Sequence, residues 1–193
     1  NQLFNDTPPP RRPAIPLLVE LCAGTAALSL RLERAGARPP VSRMGAKTGY
    51  ADCILALAGL QPGDMAAHYL WSEPDAGVRL LLEAYRDADL AQAAAAIIRG
   101  WADEEPRALW ERLRAEGPAK CPPADPREVA RWAFVQANRT PHADVWKTVP
   151  RARLACGVEA NLSAEGLARR FGVNLPAIVA PDARQVDPRE VAR

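Results

Sequence analysis

Lysine is scarce in this chain of 193 residues: of its 25 basic residues only Lys47, Lys120 and Lys147 are lysines, and the other 22 are arginines. With abundant alanine and 19 prolines, this skew reads first as coding bias and only weakly as phosphate recognition. The 25 basic residues face 23 acidic ones, and a net charge of +2 gives no general electrostatic footprint for nucleic acid. Aromatic residues make up only 6%, so the core must be mainly Leu, Ala and Val. The four cysteines, Cys22, Cys53, Cys121 and Cys156, form no CxxC pair, and only His68 and His142 could assist them. That spacing argues against a zinc site and a disulfide framework. No apolar run is long enough to span a bilayer and no signal peptide is present, so a soluble, cytoplasmic protein is expected. The chain opens on Asn1 rather than Met, so its natural start is expected to lie upstream.

What is present reads as alternating strands and helices. Residues 1–16, with Pro8-Pro9-Pro10-Arg11-Arg12-Pro13, predict an extended arm. Leu17 to Leu21 suits a buried strand; Cys22 to Thr25 is turn-like, and a helix follows to about Gly36. Helical spacing returns over 51–60, a turn falls at 61–64, and His68 to Trp71 predicts a second strand closing on Ser72-Glu73-Pro74-Asp75. An amphipathic helix is expected over 78–85. Residues 88–140 then read as a helical insert, with helices around 93–98, 106–114 and 126–139, the last capped by Asp125 and opened by Pro126. Residues 140–160 look irregular, Ser163 caps a helix to Arg170, and Ala177 to Ala180 predicts a third strand. Asp125-Pro126-Arg127-Glu128-Val129-Ala130-Arg131 recurs identically at 187–193 without flanking similarity, so it marks no solenoid.

Strand–turn–helix over 17–36 is the first unit of an open α/β sheet, whose ligands bind at the carboxyl ends of its strands. Three such ends are candidates. Glu20-Leu21-Cys22-Ala23-Gly24-Thr25 is small enough for close backbone approach. Glu73 or Asp75 offers a carboxylate to a ribose diol, and Asp182, after Pro181, offers one to an exocyclic amine.

With its turn, that set of acids describes a pocket for S-adenosylmethionine. Val19 to Leu28 resembles the first motif of the DNA N6-adenine methyltransferases, acid-x-x-x-Gly-x-Gly. Arg43-Met44-Gly45-Ala46-Lys47-Thr48-Gly49 resembles that family's glycine–lysine segment beside the methionine end of the cofactor. Ser72 to Asp75 is similar to its Asn-Asp-x-Asn. Trp132 to Thr140 resembles its aromatic "LNRT" helix, and Val179 to Arg184 its "xxGDA" strand end. The resemblance spans roughly residues 17–185. It implies a Rossmann-like α/β sheet with a helical insert at 88–140 that helps to recognise DNA. It also implies a cofactor site of Glu20, Cys22, Ala23, Gly24, Thr25, Gly45, Lys47, Glu73, Asp75 and Asp182. Lys47, Asn138 and Arg139 would face nucleic acid, and no metal is implied. On this reading 1–16 is an arm, 17–87 begins the cofactor domain, and 141–193 returns to the sheet.

Three departures stand out. Ala26 replaces the second glycine of the first motif, and the lysine segment follows that motif rather than preceding it, as in a divergent, phage-like branch. The catalytic Asp/Asn-Pro-Pro-Tyr/Phe tetrapeptide, which grips the target base, occurs nowhere in the chain. It is expected beyond Arg193, and the catalytic residues are unassigned. Two alternatives stay open: a cofactor- or DNA-binding module without catalysis, and another α/β enzyme. A cytosine methyltransferase would need a Pro-Cys nucleophile, whereas Cys121 follows Lys and Cys156 follows Ala.

Overall fold

A computed structural model of the chain describes residues 17–21, 23–41, 47–66, 68–120, 125–140, 143–147, 164–174 and 184–186. It is mixed α/β and mostly helical, with a small parallel sheet. Strand β1 (Leu18–Leu21) leads through α1 (Ala27–Glu33), a short 3-10 turn (Lys47–Gly49) and α2 (Ala51–Leu57) to β2 (Tyr69–Ser72). The two strands pair in parallel, Leu18 opposite Tyr69 and Leu21 opposite Ser72. On the far side of β2 lies β5 (Arg184–Val186), also parallel, giving the order β1-β2-β5.

The strand read as buried is one-sided. Val19 is 45% exposed and Leu21 58%, whereas the charged residue between them, Glu20, is 3% exposed. Side chains alternate across a strand, so Glu20 shares a face with Tyr69 and Trp71, both buried. Helix α1 covers that face. Its own stripe of Ala27, Leu28, Leu30 and Leu32 is buried.

After β2 come α3 (Ala76–Arg86) and α4 (Ala88–Arg99), each started by an aspartate. Asp75 accepts hydrogen bonds from the N–H groups of Gly77 and Val78, and Asp87 from those of Asp89 and Leu90. These are N-caps, which satisfy donors that a helix start leaves unpaired. Helix α5 (Pro106–Ala115) and helix α6 (Pro126–Asn138) both place proline in the first turn. Leu109, Leu113, Val129, Ala133 and Phe134 turn inward with Ile98 of α4. Helix α4 packs on α6 and on α7 (Ala164–Asn174), and α3 packs on α6, so the helical insert lies directly against the first α/β unit.

The region expected to be irregular holds a hairpin. Strand β3 (Arg139–Thr140) pairs antiparallel with β4 (Ala143–Trp146). Trp146 sits edge-on to Trp110 with ring centroids 5.8 Å apart, an anchor that short polar strands do not advertise. The expected strand at 177–180 and the second copy of the heptapeptide lie outside the described residues. The strand that is described there, β5, comes after Asp182 rather than before it. In the first copy, the heptapeptide is structural: Asp125 caps α6, and Glu128 pairs with Arg131 in the interior.

Candidate functional site

The carboxyl ends of β1 and β2 are tied by their backbones and by one carboxylate. Ala23 N–H donates to Ser72 O at 3.0 Å. Gly24 N–H donates to Glu73 Oε2 at 2.8 Å, and Asp75 N–H to Glu73 Oε1 at 3.0 Å. Glu73 is thus buried and holds both turns, while the Asp75 carboxylate is engaged by the first turn of α3. The turn after β1 uses the left-handed region twice, at Gly24 (φ 56°) and at Ala26 (φ 48°). Glycine takes that conformation freely, but a residue with a Cβ pays about 1–2 kcal/mol.

Beneath this turn lies a polar chain inside the core. Trp71 Nε1–H donates to Ser29 Oγ at 2.9 Å, and the Ser29 hydroxyl donates to Glu20 Oε2. The Ser29 N–H reaches the same oxygen at 3.2 Å. Among the described residues, Glu20 Oε1 and Thr25 Oγ1 have no hydrogen-bond partner. Burial pushes the Glu20 carboxyl above its ordinary value, opposed by the Ser29 hydroxyl and by the charge of Lys47. Tyr85 sends its hydroxyl to Thr25 O at 3.3 Å, and its pKa is raised well above normal by burial and then by Glu20.

The second feature is a cavity of about 720 Å³ between α3, α5, α6 and the β3–β4 hairpin. Asp75 and Gly77 line it from one side, Arg114 and Asp144 from another, and Trp132, Gln136 and Arg139 from α6 and its exit. Gly77 is required there, since a Cβ on it would fall inside the Trp132 indole. Arg131 walls the cavity without being available to a ligand. Its Nε donates to Glu128 Oε2 at 2.8 Å, and its amino groups to the carbonyls of Leu113, Gly117 and Pro118.

The structure therefore sorts the sequence-derived residues. Glu20, Ala23, Gly24, Thr25 and Glu73 are brought together at the strand ends, with Lys47 close enough to act on Glu20. Asp75 belongs to the cavity as well as to the end of β2, and Arg139 lines the same cavity. Asn138 is fully buried, and its Nδ2 donates to Phe134 O at 3.2 Å, so it presents no side chain to a surface ligand. Cys22, Gly45 and Asp182 lie outside the described residues. Sequence reasoning missed Ser29, Trp71 and Tyr85, whose roles depend on which face α1 covers. It also passed over Gln136, although 132, 136 and 139 follow the i, i+4, i+7 spacing of one helix face; Trp132 packs against the core as well as lining the cavity. Among the described residues no group of three or more acidic, histidine or cysteine side chains could hold a metal ion. No described helix is long and apolar enough to cross a membrane.

Comparison with known proteins gives no match: no family model, no curated protein and no solved structure matches this chain.

Proposed function

We propose that this chain carries the cofactor region of a Rossmann-like, S-adenosylmethionine-dependent methyltransferase that acts on DNA at adenine N6. One observation carries the reading. In the resembled motif, acid-x-x-x-Gly-x-Gly, the two glycine positions correspond to Gly24 and Ala26, and both have a left-handed backbone. The turn keeps the conformation that glycine favours even where alanine has replaced it. Two further facts support the assignment: the acid of the motif, Glu20, is buried with one oxygen unpartnered, as is the Thr25 hydroxyl.

The residues present fit such a group. Ala23, Gly24 and Thr25 would pass beside the methionine moiety, with Glu20 and Lys47 behind them. Glu73 and Asp75 both stand as candidates for the ribose: Glu73 accepts from the N–H groups of Gly24 and Asp75, and Asp75 from the first turn of α3. When bound, the cofactor would supply a methyl group already activated on a sulfonium. The chain's part is to hold that group in place and exclude water from it, with Arg139 on the DNA side.

Calorimetric titration of S-adenosylmethionine into the chain tests the reading. Saturable binding is expected, weakened at least about tenfold by Gly24→Val, since a β-branched residue resists positive φ. Absence of binding overturns it. A second reading, a binding module without chemistry, is favoured by the missing Asp/Asn-Pro-Pro-Tyr/Phe tetrapeptide. Transfer of labelled methyl to DNA adenine by the natural full-length product decides between the two.

A further inference from the structure

The cavity beside α6 has a composition that the cofactor reading does not use. Its volume of about 720 Å³ lies within the range of small-ligand sites. Three arginines and two aspartates line it, yet most of that charge is committed. Arg131 is held by Glu128 and three carbonyls, and Asp75 caps α3. Arg114 pairs with Asp144 at 2.6 Å and lies over the Trp110 ring at 5.5 Å.

Two polar groups remain. Gln136 is 6% exposed and lines the cavity. Arg139 has its Nε buried with no partner among the described residues. An unpaired buried polar group costs stability, so the Arg139 Nε on this cavity calls for a ligand that pairs with it, and the Gln136 carboxamide beside it offers a second contact. A carboxamide offers a donor and an acceptor side by side, the pattern that reads the edge of a nucleobase. A guanidinium is the side chain best matched to phosphate. Trp132, fixed against Gly77, adds an aromatic wall of the kind on which bases stack.

We propose that this cavity binds a nucleoside monophosphate unit, with its base between Trp132 and Gln136 and its phosphate on Arg139. The unit can come from a free nucleotide or from a nucleotide within a single strand. The site shares Asp75 with the end of β2 and Arg139 with the DNA side of the methyltransferase reading, but its proposed contacts at Trp132, Gln136 and Arg139 use none of the cofactor positions at the strand ends.

The test is a titration of the chain with deoxyadenosine monophosphate and, separately, with a labelled single-stranded oligonucleotide. Arg139→Ala and Gln136→Met are each expected to weaken binding at least about tenfold, with melting temperature unchanged or raised for Arg139→Ala, whose Nε has no partner to lose among the described residues. Asp144→Asn is expected to tighten binding several-fold by releasing Arg114 and removing a negative charge from the wall, a gain that misfolding cannot imitate. If the mononucleotide and the strand respond alike, the site takes nucleotides within a strand; if only the mononucleotide binds, it takes the free species. Gly24→Val is expected to leave this binding intact, and Arg139→Ala to leave S-adenosylmethionine binding intact, which separates the two readings. No binding of either probe, or binding indifferent to all three variants at the cavity, overturns the proposal.

Discussion

The two halves of this molecule handle their carboxylates in opposite ways. In the α/β half, Glu20 and Glu33 meet hydroxyls: Ser29 donates to Glu20 and Tyr69 to Glu33, and burial raises both carboxyls above their ordinary value. In the helical half, Glu116 and Glu128 meet guanidiniums, Arg127 and Arg131, and both are lowered, chiefly by those hydrogen bonds. A hydroxyl network tolerates a protonated acid, whereas an arginine network requires an ionised one. Fixed arginine pairs suit a scaffold. A dehydrated carboxyl with a spare oxygen suits a place where a ligand completes the structure.

The sharpest way to break the helical half is Arg131→Met. It would leave the Glu128 carboxylate and three carbonyls facing a side chain that cannot donate, and a loss of about 3–5 kcal/mol is expected from denaturant unfolding. If Arg131 proves replaceable at no cost, the contrast between the halves fails on its stronger side. Next comes the seam between them. Gly77→Ala would drive a methyl group into Trp132, with an expected loss of about 1–3 kcal/mol, and would reshape the cavity. The turn after β1 should answer in the other direction: Ala26→Gly relieves the left-handed strain and is expected to raise stability by about 1 kcal/mol.

The pH response is the next test. Glu20 has a raised folded pKa, so the folded state binds the proton more tightly than the unfolded state. Its contribution is therefore best below the ordinary value of 4.5 and is lost as pH rises through the raised value. Glu116 and Glu128, with lowered values, contribute above 4.5 and lose that contribution as pH falls through the lowered values. Glu20→Gln is thus expected to remove part of the decline in stability between pH 4.5 and neutrality, read by hydrogen exchange in α1, while leaving the acid limb in α6 unchanged. The smallest effect belongs to the exposed pair of Arg107 and Glu111 on α5, 3.0 Å apart and more than half exposed. Glu111→Gln is expected to cost no more than about 0.5 kcal/mol in the same unfolding measurement, since solvent and salt screen it.

Particular residues show how far the sequence could be read. Asp125 followed by Pro126, and Asp75 ahead of an amphipathic run, announce their helices, because caps and first-turn prolines act locally. The turn after β1 was likewise legible from the small residues Ala23, Gly24 and Thr25, although the left-handed backbone of Ala26 was not. Strand β1 misled: its apolar residues outnumber Glu20, yet period-two alternation puts Glu20 inside, where Ser29 on α1 and the charge of Lys47 make that placement tolerable. The hairpin at 139–146 was missed because its strands are short and its anchor is Trp110, on a helix distant in sequence.

By itself, then, the sequence determined the local events: where helices start, where the chain turns, which residue types are scarce, and that charge is balanced overall. Those follow from contacts within a few residues. The tertiary structure alone decided which carboxylates meet hydroxyls and which meet arginines, that Asn138 is buried while Arg139 reaches a cavity, and that Gly77 must make room for Trp132. Each of these depends on two segments that meet only when the core closes, and burial then sets the cost of every polar group left without a partner.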